Sequence, residues 1–246
     1  TGASRYEFSP QKVWHAPAGD GGALLSSVPG VSLNRMGGHG LDLVVRGQQG
    51  NQLNVIDAGS MTFGGCPNRM DPPTSTMSFL QADRIIVERG YASVTNGPGG
   101  SGGAVILERD APGFETGKRL SGTFVTGGAS NSASREIAGT LAYDLGSGFY
   151  VEAAADAKTA NDYQDGSGRN ERSSYTQRHQ SLTFGYAADG VELALDIEQD
   201  RAEDVLFAGA GMDSPLSEGR TYRLRGGFDV DLGALKRVET TLYQSN

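Results

Sequence analysis

The chain has a single cysteine. Cys66 is the only one among 246 residues, which excludes an intrachain disulfide. It lies in the glycine- and proline-rich stretch GGCPNRMDPPTS, residues 64–75, four positions before Met70. A free thiol in such a loop is more often reactive or metal-ligating than structural. The placement therefore raises the question of what Cys66 binds.

Long apolar runs are also absent. No stretch approaches the roughly 18 to 20 apolar residues that a membrane-spanning helix needs, and the N-terminus lacks the charged and apolar regions of a signal peptide. A helical membrane protein is thereby excluded. A membrane-spanning β-barrel is not excluded, because its strands carry only alternating hydrophobicity.

Positive charge and catalytic motifs are scarce as well. The net charge is -8 and the sequence has no Lys/Arg stripe, which argues against a nucleic-acid partner. The three histidines, His15, His39 and His179, show no Ser/His/Asp or metalloprotease spacing, so we do not expect an enzyme. A structural or solvent-facing role is favoured for His39, and a solvated or lumen-facing position for His179.

Glycine, by contrast, is abundant: its 37 residues are about twice the usual share. Between Gly-rich loops, residues 1–112 contain four stretches that read as strands, LDLVVRG, NQLNVIDAG, DRIIVERG and GGAVILERD. Asp20 could cap a short helix that ends before Pro29. The run NGPGGSGGAV, residues 96–105, lacks the Lys-Ser or Lys-Thr of a phosphate loop, so we predict turns and close backbone approach there. Residues 1–112 are thus predicted to form an α+β unit.

Residues 113–246 instead contain long stretches in which polar and apolar residues alternate. In one stretch, residues 191–198, the odd-numbered positions are apolar: Val191, Leu193, Leu195 and Ile197. Its even-numbered positions include the acidic residues Glu192, Asp196 and Glu198. Short turns at 146–148, 189–190 and 232–234 alternate with longer polar excursions at 160–173 and 201–220. Alternation alone is equally compatible with a soluble antiparallel sheet, but the connection lengths favour outer-membrane barrel strands. We predict about seven antiparallel transmembrane strands, a partial barrel.

Several motifs, taken together, resemble a known family. The segments VPGV, VVRG, NVIDAG and VERG followed by GPGGSGG, within residues 20–110, occur in the order of the plug domain of TonB-dependent outer-membrane receptors. The stretches GGCPNRMDPPTS and GGHGLDLVVRGQQ resemble the copper-receptor branch, OprC/NosA-like. This resemblance implies a plug domain at 1–112, the first barrel strands at 113–246, TonB and outer-membrane lipid as partners, and the outer membrane of Gram-negative bacteria as the location.

The chemistry of Cys66 and Met70 favours the same branch. Thiolate and thioether sulfur are soft donors that favour Cu(I) over hard cations. The two residues can converge on one copper ion if the segment between them turns, and Arg69 beside the thiol would favour the thiolate. The prolines of the stretch, Pro67, Pro72 and Pro73, restrict the loop and reduce the ordering cost of chelation.

The sequence departs from the family pattern in two respects. The resemblance implies further copper ligands from a His-x-Met element, which does not occur here, so we expect it beyond Asn246, with Met61, Met77 and His39 as local substitutes. A barrel of about 22 strands is implied, but the residues after the plug suffice for only some seven. We therefore expect a receptor truncated at both ends, without its TonB-binding segment.

The sequence thus predicts a receptor that imports copper and is not an enzyme. Two alternatives stay open. One is a receptor for a siderophore or another metal chelate, in which the thiol of Cys66 is incidental. The other, from a different class, is a β-rich surface protein or adhesin without a transport role; it predicts no contact between residues 1–112 and the inner faces of the strands.

Overall fold

A computed structural model describes residues 5–9, 24–35, 39–90, 97–98 and 100–246. Its strands are β1 (Arg5–Phe8), β2 (Val31–Arg35), β3 (Leu41–Val45), β4 (Gln48–Gln49), β5 (Leu53–Asp57), β6 (Ser60–Met61), β7 (Arg84–Arg89), β8 (Gly103–Glu108), β9 (Leu120–Ala129), β10 (Ser134–Gly146), β11 (Phe149–Ala160), β12 (Tyr163–Gln164), β13 (Asn170–Glu171), β14 (Tyr175–Ala188), β15 (Val191–Val205), β16 (Ser214–Leu232) and β17 (Leu235–Ser245). Short 3-10 helices span Gly50–Gln52, Pro73–Ser75 and Phe79–Gln81. No helix within the described ranges is long and apolar enough to span a membrane.

The N-terminal part is built on a mixed sheet with the strand order β1-β7-β8-β5-β6. β5 and β8 run parallel, whereas the other neighbours are antiparallel. The runs RIIVER and GAVILE form its central strands because their β-branched residues suit a sheet covered on both faces. A second sheet has the order β2-β3-β4.

Alternate side chains of β8 point to opposite faces of the sheet, so the core of this part has two apolar clusters. Val105 and Leu107 project into the larger apolar cluster, together with Ile85 and Val87 of β7, while Ile106 projects into a smaller cluster on the other face. Burial of each such side chain contributes about 1.5 to 3 kcal/mol. The sheet is therefore stabilised on both sides.

The C-terminal part is one antiparallel sheet of seven strands in the order β17-β16-β15-β14-β11-β10-β9. The predicted alternation is confirmed: Leu193, Leu195 and Ile197 are exposed on one face, while Asp196 and Glu198 are buried on the other. The buried face lies against the N-terminal part. This arrangement, a mixed α+β unit followed by antiparallel barrel-type strands, is the predicted fold class.

The hairpin connections differ in length at the two ends of this sheet. Asp189 and Gly190 form a two-residue turn with φ of 52° and 75°, the geometry that matches the twist of a hairpin. At the other end, β12 and β13 form a small hairpin within the predicted excursion at 160–173. The second predicted excursion, 201–220, is shorter than expected, because β15 and β16 remain paired as far as Val205 and Ser214. Its polar residues pair across the strands, as Arg201 does with Glu218.

Two local predictions in the N-terminal part have different outcomes. Asp20, the predicted helix cap, and His15 lie outside the described residues, although Leu24 and Leu25 are helical. The strand predicted after the glycine-rich run is confirmed as β8, and Gly103 adopts a φ of 127° against the Glu88 carbonyl. A Cβ atom at Gly103 would collide with that carbonyl, which explains why glycine is needed there.

Candidate metal-binding loop and its cavity

The loop between β6 and the helix Pro73–Ser75 is closed by its own hydrogen bonds. The Arg69 amide donates to the Cys66 carbonyl at 2.9 Å, and Arg69 has a φ of 60°. The Asp71 carboxylate accepts hydrogen bonds from the Gly65 and Cys66 amides, both at 2.8 Å. The segment between Cys66 and Met70 is therefore a tight turn. A turn here is the condition under which both sulfur atoms could approach one ion.

The Arg69 side chain holds this turn to β3. Its Nε and Nη2 atoms donate to the two Asp42 carboxylate oxygens at 3.0 and 2.5 Å. The hydrogen bond to Asp42 raises the pKa of Arg69 above its usual value. Arg69 is thus engaged with a buried carboxylate, and this partner, rather than the Cys66 thiol, accepts its hydrogen bonds.

The proline-rich end of the loop is fixed as well. Pro72 and Pro73 begin the helix Pro73–Ser75, and Thr74 Oγ1 donates to the Leu41 carbonyl at 2.5 Å. Gln177 of β14 donates a hydrogen bond to the Ser75 carbonyl. The loop is consequently attached both to β3 and to the wall of strands, which limits its freedom to reorganise.

Cys66 and Met70 face the same part of the strand wall. Met70 is 8% exposed and packs with Val205 and Phe207, and Cys66 packs, partly buried, against the same cluster. Both residues also line a cavity of about 910 Å³ between the loop and strands β14 to β17. The sulfur-bearing residues are therefore packed on one side and open to a cavity on the other.

The three residues considered as substitute ligands line the same cavity, namely His39, Met61 and Met77. His39 is buried rather than solvent-facing, with its ring centroid 5.5 Å from that of Tyr175. Among the described residues, no group of three or more His, Cys, Asp or Glu side chains is placed to hold a metal ion. The cavity is also lined by the Cys66 thiol and by three methionine thioethers, and such sulfur donors favour a soft ion.

A buried ion network below the loop was not predicted from the sequence as a unit. It joins the N-terminal part to the strand wall through Asp57, Arg109, Asp196, Glu198, Arg223 and Arg225. Burial lowers the pKa of Arg109, but the charges of Asp57 and Glu198 outweigh this effect and hold it above its ordinary value. The charged alternation of residues 191–198 indicated Asp196 and Glu198, whereas the roles of Asp57 and Arg109 depend on tertiary contacts.

Other contacts confirm that the N-terminal part occupies the inner face of the strands. Ser78 Oγ donates to Asp156 Oδ1 at 2.8 Å, and Gln81 Nε2 lies 3.1 Å from Nδ1 of the buried His179. Ser60 Oγ accepts hydrogen bonds from the Arg223 guanidinium at 2.8 and 3.0 Å. These contacts contradict the surface-protein alternative, which expected the two parts to be separate.

The fold agrees with that of the proteins the chain resembles. Residues 1–104 match the model of the TonB-dependent Receptor Plug Domain family. The structure resembles that of the copper transporter OprC, with a TM-score of 0.88 and 28% identity over 99% of this chain and 37% of the other. No curated protein sequence matches the chain.

More distant structures share the fold alone. The FrpB iron transporter from Neisseria meningitidis has a TM-score of 0.81 and 15% identity over 98% of this chain and 40% of its own. For the ferric enterobactin receptor PfeA from Pseudomonas aeruginosa the values are 0.69 and 14%, with the same two coverages. The chain thus spans less than half the length of each of these proteins.

Residues 1–104 belong to the TonB-dependent Receptor Plug Domain family, and the strands that follow are arranged as in the similar receptor structures. The family and the structural neighbours are receptors and transporters, not enzymes. The likeness to OprC supports the OprC-like branch of these receptors.

Proposed function

We propose that this chain is the plug and the adjoining barrel wall of an outer-membrane receptor that imports copper in Gram-negative bacteria. Residues 1–112 are the plug and residues 113–246 the first part of the barrel. Copper is captured as Cu(I) by Cys66 and Met70, and TonB supplies the energy for import. Outer-membrane lipid contacts the exposed apolar face of the seven-stranded sheet.

One observation carries the proposal: Cys66 and Met70 flank a closed turn and line one cavity. A thiolate and a thioether presented from a rigid loop lose little freedom on binding a soft ion. Met61, Met77 and His39 border the same cavity and are available as additional donors. The similarity to OprC, which is named a copper transporter, supports copper as the transported ion.

A receptor for an iron chelate is the second candidate, because FrpB and PfeA share the fold. The cavity of about 910 Å³ is roomy enough to admit a ligand larger than a bare ion. In that case the sulfur atoms would be incidental. Import of the chelate would then be independent of Cys66.

The test is metal analysis of the protein expressed from its complete gene and loaded with Cu(I) under reducing conditions. Cys66→Ser and Met70→Leu should each lose bound copper, because each removes one sulfur and leaves the side-chain volume similar. Met212→Leu is the matched control, since Met212 is exposed in the loop after β15. If both loop variants bind as much copper as the wild type, the copper site is rejected. If import of an iron chelate is unaffected by Cys66→Ser, the chelate receptor is favoured instead.

A further inference from the structure

Met61 lies at the boundary between two cavities. We call the cavity of about 910 Å³ that contains Cys66 and Met70 the loop cavity, and a second cavity of about 710 Å³, beside Glu192 and Arg237, the turn cavity. Among the described residues that line either cavity, Met61 alone lines both. A ligand that moves from one cavity to the other at this point therefore passes the Met61 side chain.

The two cavities lie toward opposite ends of the seven-stranded sheet. The loop cavity is lined by Val205 and Ser214, where β15 ends and β16 begins at the longer connection between them. The turn cavity is lined by Glu192, which directly follows the first residue of β15 after the two-residue turn at 189–190. Movement from the long connections to the short turns thus runs from the loop cavity to the turn cavity.

The sulfur atom of Met61 lies on the side of the turn cavity. Met61 pairs with Ile56 of β5 and packs, partly buried, against the apolar cluster of that strand. A Cβ atom at Gly97, which lines the turn cavity, would be only 3.1 Å from Met61 Sδ. Because the backbone of Met61 is five positions from Cys66, the side chain connects the loop with the turn cavity.

The short strand β6 that carries Met61 is held against the wall of strands. Ser60 Oγ accepts hydrogen bonds from the Arg223 guanidinium at 2.8 and 3.0 Å and donates to the Asp57 carbonyl at 2.8 Å. Gly59 has a φ of 84°, and a Cβ atom there would collide with Thr241 Oγ1 of β17. The thioether therefore has a defined position at the boundary, while its flexible side chain can turn toward either cavity.

The donor atoms of the two cavities differ in kind. The loop cavity is lined by the Cys66 thiol and by methionine thioethers, which suit a soft ion. The turn cavity is lined by the carboxylates of Glu108, Asp110, Glu192 and Glu239, which are hard donors. Among its described lining residues, Met61 is the only one with a sulfur atom. A soft ion that leaves the loop thus meets its last thioether at Met61.

We propose that Met61 is a transfer site for Cu(I) between the capture loop and the turn cavity. The identity of the ion rests on the proposed function. Cu(I) leaves the Cys66 thiolate and the Met70 thioether, binds Met61 Sδ, and is then released into the turn cavity. Every sulfur atom keeps its electron pairs and the ion stays monovalent, so the transfer is a ligand exchange without redox change. A single neutral thioether holds the ion less tightly than a thiolate with a thioether, which favours onward release.

The first test measures bound copper and copper import for the protein expressed from its complete gene. Met61→Leu keeps the side-chain volume but removes the thioether. We expect this variant to bind as much Cu(I) as the wild type and to import it about tenfold more slowly, as for loss of a group that supports a metal site. Met212→Leu is the matched control, because Met212 is exposed in the loop after β15.

The second test detects the transfer site without import. Silver(I), a soft monovalent ion, is soaked into crystals of the Cys66→Ser receptor, in which the capture loop lacks its thiol. Anomalous diffraction should show silver bound to Met61 Sδ. The double variant Cys66→Ser/Met61→Leu should lose this silver ion and keep the same fold, which separates a ligand from a residue that only fills space.

Two results would overturn the transfer site in the import test: a wild-type import rate in Met61→Leu, or loss of its bound copper, which would make Met61 a capture ligand. The absence of silver beside Met61 in the Cys66→Ser crystals would overturn it as well. A wild-type receptor that neither binds nor imports copper would contradict the proposed function instead. In that case the silver experiment still decides whether Met61 binds a soft ion.

Discussion

Arg69 and Asp42 form a two-point ion pair across 27 positions of sequence, with donor–acceptor distances of 3.0 and 2.5 Å. This pair fixes the turn between Cys66 and Met70 to β3, so the loop has a defined position in the cavity. Bidentate pairs of this type add directional specificity to charge attraction. The ion pair thus positions the proposed ligands without being one of them.

We expect Asp42→Asn to weaken Cu(I) binding without abolishing it. The variant keeps Cys66 and Met70 but loosens the turn, so part of the ordering cost returns on binding, about tenfold in affinity. Competition with a chromophoric Cu(I) chelator measures the change. Glu108→Gln, which affects a half-exposed partner of Arg84, is the control. Equal affinity in Asp42→Asn and the wild type would contradict the positioning role of the pair.

Asp71→Ala should open the loop from within. Its carboxylate is the acceptor for the Gly65 and Cys66 amides, and loss of an acceptor costs about 1 to 3 kcal/mol where the donors stay dry. Amide hydrogen exchange followed by mass spectrometry should show faster exchange in residues 64–71 than in β7. Unchanged protection of this segment would mean that other contacts close the loop.

Gly103→Ala should destabilise the plug sheet. The residue adopts a φ of 127°, and an added Cβ would collide with the Glu88 carbonyl, so both backbone strain and overpacking oppose the variant. We expect a loss of about 1 to 3 kcal/mol, measured as unfolding of the plug in urea. Gly113→Ala is the matched control, because nothing lies within 4 Å of its Cβ position.

The hairpin of β12 and β13 should loosen in acid. Hydrogen bonds from the Ser167 side chain and the Arg169 backbone lower the pKa of Asp165 to about 2, from an ordinary 3.8. Because the folded pKa is depressed, the stabilisation is fully present above the ordinary value and is lost as the pH falls toward about 2. NMR or local hydrogen exchange of residues 163–171 detects the transition. In Asp165→Asn the hairpin should show no such transition.

The alternation of residues 191–198 predicted correctly which face of β15 is exposed and which is buried. Period-2 patterns are local, so they can be read without the fold. The strand ends were harder to predict: β15 and β16 extend through much of a segment expected to be a loop, because Arg201 and Glu218 pair across the strands. Polarity alone does not distinguish a paired polar strand from a loop.

The same contrast applies to the binding loop. Soft donors at Cys66 and Met70 and a stiff proline-rich segment were evident from composition and spacing. The positive φ of Arg69, its bond to Asp42 and the cavity shared with His39, Met61 and Met77 were not, since they join residues distant in sequence.

By itself, the sequence determined the alternating strands, the soft character of the candidate ligands and the resemblance to receptor plugs, because each depends on residue type and short-range order. Only the tertiary structure decided that Asp57 and Arg109 of the plug meet Glu198 and Arg223 of the wall. Buried charges must find opposite charges wherever the packed elements place them, and that choice is made by the whole fold.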